Sequence, residues 1–300
     1  KRLDDPMSSA KDILLLLLIR AMRSYTRYTP FQRGRFRLTS LLYQVTKQLG
    51  RECQLVITAR DGRKFSLNPS DPQYHMGLLD RGVFESEETQ VVMDSVQPGH
   101  VAIDAGANYG WYTTLLSRLV GPAGTVHAFE AMPLTTEVLR QNCTLNGCDN
   151  VFINQCALGD HVGTVAVYDH PAGASGDASL FPIGHGDEHP FTCQMQTLDN
   201  YFVQRGLLRC DFIKCDIEGA ELLFLKGARN VLRQHQPTIL LEINPWVLQR
   251  SGTDGMEVLE EIRQYGKYVF FNAAGNRFKS IQPSDCKSLQ SYINVLCEAQ

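Results

Sequence analysis

The sequence predicts an α/β fold with a mostly parallel, seven-stranded sheet that carries helices on both faces. Three observations support this class. Apolar runs of strand length alternate with helix-length segments over residues 101–243, a glycine-rich turn follows the first run, and polar residues stand where several runs end. Alternation of this kind is typical of parallel sheets, because parallel neighbours need a crossover connection, usually a helix.

The elements are expected in the following order. The strands are 101–104, 125–130, 151–158, 211–216 and 238–243, and the helices are 112–119, 135–146 and 220–232. A hairpin arm over 162–168 follows the third strand, and a helix over 254–265 with strands 268–272 and 292–297 closes the domain. Residues 169–192 are interpreted as a lid or substrate loop, with an ordinary surface loop as the alternative.

The front of the chain is predicted to be an N-terminal extension over residues 1–65, with the main domain over 66–300. Helices are expected within 7–50, followed by a hairpin with strands 53–57 and 64–67 around an Asp61-Gly62 turn signal. One more helix, over 86–96, is expected before the first sheet strand.

Charge is unevenly distributed along the chain. Residues 1–64 hold 14 of the 29 Lys and Arg but only 5 of the 32 Asp and Glu. Such a basic front suits peripheral membrane contact or homodimerisation, and it also suits a solvated helical surface. Its apolar run, Ile13 to Ile19, is far shorter than the roughly 18 residues that span a bilayer. We expect a cytoplasmic protein with no nucleic-acid partner, and the nine cysteines, which form no C-x-x-C pair, fit reduced thiols.

A glycine-rich turn follows the first sheet strand, in the sequence Val-Ala-Ile-Asp-Ala-Gly-Ala-Asn-Tyr-Gly over residues 101–110. Gly106 and Gly110 permit a sharp turn close to a ligand, and a helix N-terminus follows. A dinucleotide-binding turn would read G-x-G-x-x-G and carry a pyrophosphate. Asp104 instead suits a cation, and S-adenosylmethionine, with its ammonium and sulfonium groups, has the matching charge.

Polar residues also end the later strands. Glu130 stands at the end of the second strand, where dinucleotide folds use a carboxylate to accept both ribose hydroxyls. Cys156 and Ala157 could flank an adenine ring, although a plain strand end explains them equally well. Lys214, Asp216 and Glu218 follow an apolar strand, and charged residues there are more typical of a site than of a core.

Together these segments resemble the FkbM family of methyltransferases. The turn D-x-G-A-N-x-G at 104–110 and the segment I-K-x-D-x-E-G-x-E at 213–221 carry the resemblance, which covers about residues 80–245. Weaker likenesses occur at 82–85, 157–160, 197–199 and 241–244. The resemblance implies a Rossmann-like class I methyltransferase fold that transfers a methyl group from S-adenosylmethionine to an oxygen, commonly a sugar or polyketide hydroxyl.

The resemblance also implies roles for particular residues. The cofactor contacts it carries over are Asp104, Gly106, Asn108, Gly110 and Glu130, and the active-site carboxylates are Asp216, Glu218 and Glu242. We also assign to the cofactor site Glu85, Ala107, Tyr109, Ala131, Cys156, Ala157 and Asp216, and to the acceptor His75, Ser179 and Asn244.

The expected reaction is O-methylation of a small-molecule acceptor that contains carbohydrate, such as a sugar or a glycolipid. Asp216 would act as the base, and Glu218 and Glu242 would orient the acceptor. A variant would add a divalent metal held by Asp216, Glu242 and Asn244. The sequence also leaves open a nicotinamide-binding oxidoreductase, in which Glu130 would bind the ribose, and a non-catalytic membrane-associated adaptor.

Overall fold

The computed structural model describes residues 17–18, 21, 44, 55–68, 78, 82–169, 178–182, 190–273 and 279–300. By its contacts the chain divides into two compact units, residues 1–86 and 87–300. The boundary predicted between residues 65 and 66 falls inside the first unit. The helices predicted within 7–50 lie almost wholly outside the described residues. Within the described part, no helix is long and apolar enough to cross a membrane.

The first unit contains the predicted hairpin. Strands β1 (Leu55–Thr58) and β2 (Lys64–Leu67) pair antiparallel, with Thr58 opposite Lys64. The connection runs over residues 59–63, so the expectation of a two-residue turn at Asp61-Gly62 is wrong. The longer turn is closed by the backbone bond from Ala59 N to Arg63 O, at 2.7 Å.

The second unit holds the remaining elements. Its strands are β3 (Val101–Ala105), β4 (Thr125–Phe129), β5 (Val151–Asn154), β6 (Ala157–Leu158), β7 (Gly163–Val167), β8 (Phe191–Gln196), β9 (Phe212–Cys215), β10 (Thr238–Ile243), β11 (Tyr268–Asn272), β12 (Lys279–Ile281) and β13 (Ile293–Ala299). The helices are α1 (Ser86–Ser95, starting at the junction of the units), α2 (Trp111–Val120), α3 (Pro133–Leu145), α4 (Leu198–Arg205), α5 (Glu221–Gly227), α6 (Arg229–His235), α7 (Pro245–Leu248) and α8 (Gly255–Arg263). Short 3₁₀ helices span Gln249–Ser251 and Pro283–Cys286.

The main sheet confirms the predicted fold class. Its order is β12-β11-β13-β10-β9-β3-β4-β5, and the strands from β10 to β5 run parallel to one another. β13 and β11 lie between β10 and β12, and every pairing on that side is antiparallel. The described sheet has eight strands, one more than expected, because the three-residue β12 adds an edge.

Strand β3 lies at the topological switch point of this sheet. The chain passes from β3 to β4 and β5 on one side, and later returns to β9 and β10 on the other. In open α/β sheets, ligands bind outside the carboxyl ends of the strands where the winding direction reverses. The core supports these ends firmly, since every residue of β9 is buried. The topology therefore places a ligand crevice at the ends of β3, β4 and β9.

The chain between 151 and 196 differs most from expectation. The predicted strand 151–158 is two strands in different sheets: β5 joins the main sheet, and β6 joins a three-stranded sheet of order β6-β8-β7. Gly159 lies tightly against the small sheet, where a Cβ atom would come within 2.5 Å of Met195 Sδ. β7 confirms the predicted hairpin arm, whereas β8 and α4 were not predicted.

The predicted helix 220–232 is broken into α5 and α6 at Ala228. The break has a packing cause. A Cβ atom on Gly227 would lie 1.9 Å from the carbonyl oxygen of Gly159, so two backbones meet directly there. Glycine is also a weak helix former, and the tertiary contact fixes where the helix ends.

Candidate active site

A buried carboxylate stands near the carboxyl end of the central strand. Asp104 is 1% exposed, and its Oδ2 accepts a hydrogen bond from the Thr113 hydroxyl at 2.5 Å. Its Oδ1 is buried and has no hydrogen-bond partner among the described residues. Burial raises the pKa of Asp104 to about 6, although Thr113 and the charge of Lys214 act in the opposite direction. The strand therefore presents an acid with one unsatisfied oxygen.

The glycine-rich turn after β3 requires its glycines. Gly106 has φ +81°, and a Cβ atom there would lie 1.7 Å from the backbone oxygen of Asp216. Gly110, with φ +88°, ends the turn, and a Cβ atom there would lie 2.6 Å from Leu139 Cδ1. Asn108 between them is also in the left-handed region, at φ +49°. The turn is thus pressed between β9 and α3 by backbone geometry that favours glycine.

Glu130 connects the glycine-rich turn to the end of β4. Its Oε2 accepts a hydrogen bond from Asn108 N and its Oε1 from Met132 N, both at 2.8 Å. Burial raises the pKa of Glu130 to about 7, partly offset by these backbone hydrogen bonds. Each carboxylate oxygen has a second lone pair, so Glu130 can hold the turn and still accept a hydrogen bond from a ligand hydroxyl.

An ion pair between Lys214 of β9 and Asp216, which follows the strand, lies beside the glycine-rich turn. Lys214 is buried, and its Nζ lies 3.1 Å from Asp216 Oδ2 and 5.2 Å from the centre of the Tyr112 ring. Asp216 is partly exposed, and its backbone N donates to Ala105 O at 3.0 Å. Lys214 is opposite Asp104 in the β3–β9 register, so its ammonium lies near the carboxylates of both Asp104 and Asp216. The lysine therefore positions Asp216 at the edge of the crevice.

A tight turn follows Asp216. Glu218 has φ +51°, and its carbonyl oxygen accepts a hydrogen bond from the buried Ser179 hydroxyl at 2.6 Å. Glu221 is buried beneath the turn, where one oxygen accepts from Ile217 N and Gly219 N at 3.2 Å and the other has no hydrogen-bond partner among the described residues. Burial raises its pKa to about 7. Sequence reasoning gave Glu221 no role, although its place as the last acid of the segment was a signal.

A cavity of about 400 Å³ opens beside this turn. It is lined by Glu218, Asn244, Trp246, Val247, Arg250, Gln290, Ser291 and Tyr292. Most of these residues were not predicted as part of a site, because they come from three separate stretches of the chain.

Asn244 has a structural role at the edge of this cavity. Its Oδ1 accepts a hydrogen bond from Trp246 N at 3.3 Å, which caps α7, and its Nδ2 donates to Glu242 Oε1 at 3.4 Å. Glu242 is half-buried on β10, opposite Asn294 of β13. Within the described part of the chain, no group of three or more His, Cys, Asp or Glu side chains is placed to hold a metal ion.

The remaining predicted residues are distributed around the sheet ends. Ala131 follows Glu130 and is half-buried, and the Tyr109 backbone oxygen accepts from Asn142 Nδ2 at 2.8 Å. Cys156 precedes the buried Ala157 at the bend between β5 and β6, and burial raises its pKa to about 12, which keeps it a thiol. Ala107 N donates to Phe129 O at 2.9 Å.

Two predicted residues have no described position at this site. Glu85 belongs to the first unit and has φ +43°. His75 lies outside the described residues.

The fold is that of an open α/β sheet protein with a crevice at the carboxyl ends of its central strands, where such proteins bind ligands. A model of the methyltransferase FkbM domain matches residues 104–269, which is more than half of the chain. The chain therefore belongs to the FkbM family of methyltransferases, as the sequence resemblance predicted.

Three relatives illustrate the range of this similarity. Methyltransferase 1 of Beauveria bassiana is 28% identical over 143 residues, covering 42% of this chain and 57% of that one. The 31-O-demethyl-FK506 methyltransferase FkbM of Streptomyces tacrolimicus is 35% identical over 92 residues, covering 31% and 33%. The 2-O-methyltransferase NoeI of Sinorhizobium fredii is 25% identical over 158 residues, covering 48% and 63%. The chain thus spans less than two thirds of the length of each relative.

Proposed function

We propose that this methyltransferase uses S-adenosylmethionine to methylate a hydroxyl of a sugar, a glycolipid or a related small molecule. The observation that carries the proposal is the unpartnered, buried Oδ1 of Asp104 beside the glycine-rich turn. A buried acceptor without a partner costs free energy, more so when it is ionised. A cationic ligand group would satisfy it, and the ammonium of S-adenosylmethionine has the right charge.

Glu130 supports the same assignment. Its carboxylate lies at the end of the strand next to β3, the place where related α/β folds bind ribose hydroxyls. Both of its oxygens are held by backbone N–H groups, so the acceptor positions that remain are fixed in direction. A nicotinamide dinucleotide would use the same ribose contact. It would, however, bring a negatively charged pyrophosphate to a turn flanked by Asp104 and Glu130.

Asp216 is the proposed base. Bound S-adenosylmethionine supplies an electrophilic methyl group on a positively charged sulfur. In such a complex the methyl carbon would be the electrophile for the acceptor hydroxyl, with S-adenosylhomocysteine as the leaving group, and the Asp216 carboxylate would take up the hydroxyl proton. Lys214 holds this carboxylate at the edge of the crevice through the 3.1 Å ion pair. Glu218, two residues further on and at the cavity wall, is proposed to orient the acceptor.

Transfer to oxygen is also the chemistry in the names of two relatives, a 31-O-demethyl-FK506 methyltransferase and a 2-O-methyltransferase. The metal-assisted variant stays a prediction from the sequence, and Asn244 Oδ1, one of its three proposed ligands, accepts the hydrogen bond that caps α7. Peripheral membrane contact or homodimerisation through the basic residues 1–64, and a cytoplasmic location, stay predictions from the sequence.

Calorimetric titration tests the cofactor directly. We expect micromolar binding of S-adenosylmethionine, weakened about 10- to 100-fold in Asp104→Asn and Glu130→Gln, because each loses a charge-assisted contact. Asp160→Asn, which alters a carboxylate that pairs with its exposed neighbour His161, serves as the matched control and should bind normally. Absence of heat at millimolar S-adenosylmethionine, or preferential binding of NADH, would refute the proposal.

A further inference from the structure

Two exposed aromatic side chains line the cavity beside the Asp216–Glu218 turn. Trp246 is 69% exposed and Tyr292 is 60% exposed, and both border the same space of about 400 Å³. Single exposed apolar residues are ordinary on protein surfaces, but two large rings around one cavity of ligand size are not. Trp111, the other tryptophan of the chain, is buried.

The fold brings the residues that carry these two rings to the same end of the sheet. β10 and β13 pair antiparallel up to Ile243 opposite Ile293, so the next residue of one strand and the preceding residue of the other, Asn244 and Tyr292, stand at the same sheet end. From there Asn244 caps α7 through Trp246 N. The cavity wall is therefore set by strand register and by a helix cap, which are rigid features.

The cavity also lies close to the proposed base, Asp216. A Cβ atom on Gly219 would lie 2.9 Å from the Val247 carbonyl oxygen, so the turn that carries Glu218 packs directly on α7. Glu218 lines the cavity, and Asp216 is two residues before it, at the end of β9. A molecule in the cavity would therefore lie near the end of β9, directly after which Asp216 stands.

The chemistry of the lining selects the ligand. Apart from the two rings and Val247, the lining consists of Glu218, Asn244, Arg250, Gln290 and Ser291, which offer both hydrogen-bond donors and acceptors. A pyranose ring has an apolar C–H face and a rim of hydroxyls, and this pattern complements flat aromatic rings surrounded by polar groups. One acidic and one basic side chain balance each other, which favours a neutral ring over an anion.

We propose that this cavity is the acceptor subsite and that it binds a pyranose ring of a neutral saccharide against Trp246 and Tyr292. The proposal rests on the proposed function and deepens it, because it assigns the acceptor class to particular residues. Trp246 and Tyr292 are specificity-determining residues in this account, and Glu218 and Gln290 contribute hydrogen bonds to ring hydroxyls.

An immobilised array of neutral and acidic saccharides tests the site, probed with the fluorescently labelled full chain in the presence of S-adenosylhomocysteine. We expect retention on neutral pyranosides, reduced about tenfold or more in Trp246→Ala and Tyr292→Ala. Leu208→Ala, which truncates an 89% exposed side chain that is not part of the lining, is the matched control and should bind like wild type. Trp246 and Tyr292 are exposed, so their loss should leave folding intact.

Acrylamide quenching of tryptophan fluorescence gives a second measurement. A neutral saccharide at the site should protect Trp246 from quenching in the wild type, and Trp246→Phe should abolish the protected signal. Retention on acidic saccharides alone, on no saccharide, or undiminished in Trp246→Ala would overturn the subsite. These failures differ from failure of the proposed function, which shows as absence of S-adenosylmethionine binding by calorimetry in wild type.

Discussion

The buried acids at the ends of β3 and β4 differ from the cavity rim at the ends of β10 and β13. Asp104 and Glu130 are shielded from water, their pKa values are raised, and the glycine-rich turn and the helix after it donate hydrogen bonds to them. Trp246 and Tyr292 are exposed and come together only through strand pairing. The difference indicates that the buried cluster, Asp104 and Glu130, suits a ligand with charged and hydroxyl groups at defined positions, whereas the exposed rim suits a ligand that binds through its surface.

The largest effect is expected where these two regions meet. Asp216→Asn should lower kcat about 10²- to 10⁴-fold, because the proposed base loses its ability to accept a proton. Affinity for S-adenosylmethionine, measured by calorimetry, should change by less than about threefold. Lys214→Met should lower kcat less, about tenfold, since it removes the positioning contact and not the base.

A loss of kcat that is equal in the two variants would contradict their separate roles. If Asp216→Asn loses as much cofactor affinity as activity, Asp216 binds the cofactor and does not act as the base.

The glycine-rich turn gives the largest expected effect on stability. Gly106→Ala must move the backbone of Asp216, which would lie 1.7 Å from the new Cβ, and should lower the free energy of unfolding by about 3 kcal/mol or more. Gly99→Ala is the matched control, with φ +82° but nothing within 4 Å of the added Cβ, and should cost only about 1 kcal/mol. Urea unfolding measures both variants, and equal losses would show that the turn is not pressed against β9.

The sequence was sufficient to predict the buried cluster because its determinants are local. The strand at 238–243 and the strand at 268–272 have the predicted bounds, and α2 begins one residue before the predicted start. The alternation of apolar runs with glycine-containing turns predicts such strands and helices directly. The carboxyl-end position of Asp104, Glu130 and Asp216 then follows from the parallel sheet.

The rim and the region 151–196 could not be predicted in the same way. The split of β5 from β6 depends on packing of Gly159 against Met195, and the break at Ala228 depends on Gly227 meeting the Gly159 backbone. The cavity needs β13 to return between β10 and β11, which no local pattern specifies. β8 and α4 directly follow a Gly- and Pro-rich segment, which led to a loop assignment for 169–192.

Titration should separate the two regions further. The pKa of Asp104 is raised to about 6 by burial, so this group stabilises the folded chain below about pH 4, and that contribution is lost as the pH rises to about 6. The difference in unfolding free energy between wild type and Asp104→Asn should therefore fall by about 2–3 kcal/mol from pH 4 to pH 7. Cofactor affinity should do the opposite and rise over about pH 5–7, because the ionised carboxylate binds a cation.

Urea unfolding and calorimetry over this pH range measure both trends. A difference that does not depend on pH would mean that the pKa of Asp104 is not raised in the folded chain. In Trp246→Ala both the unfolding free energy and the cofactor affinity should keep the wild-type pH dependence, because Trp246 is exposed and is not one of the buried acids.

The smallest expected effect concerns the cap of α7. Asn244→Ala removes the hydrogen bond to Trp246 N and should lower the free energy of unfolding by about 1 kcal/mol. Asn244→Ser retains an acceptor at the cap without placing a second carboxylate beside Glu242, and should keep most of the stability. Saccharide retention should weaken in Asn244→Ala and recover in Asn244→Ser, whereas cofactor affinity should be unchanged in both. Equal saccharide binding in wild type and Asn244→Ala would show that the cap does not set the rim.

Hydrogen exchange with and without S-adenosylhomocysteine would locate the cofactor site along the chain. We expect slower exchange of the amides in 103–113 and 129–132, around the glycine-rich turn and Glu130, with unchanged exchange in β7 and α4. Unchanged exchange in those two segments at saturating ligand, or protection confined to other parts of the chain, would contradict a cofactor site at the ends of β3 and β4.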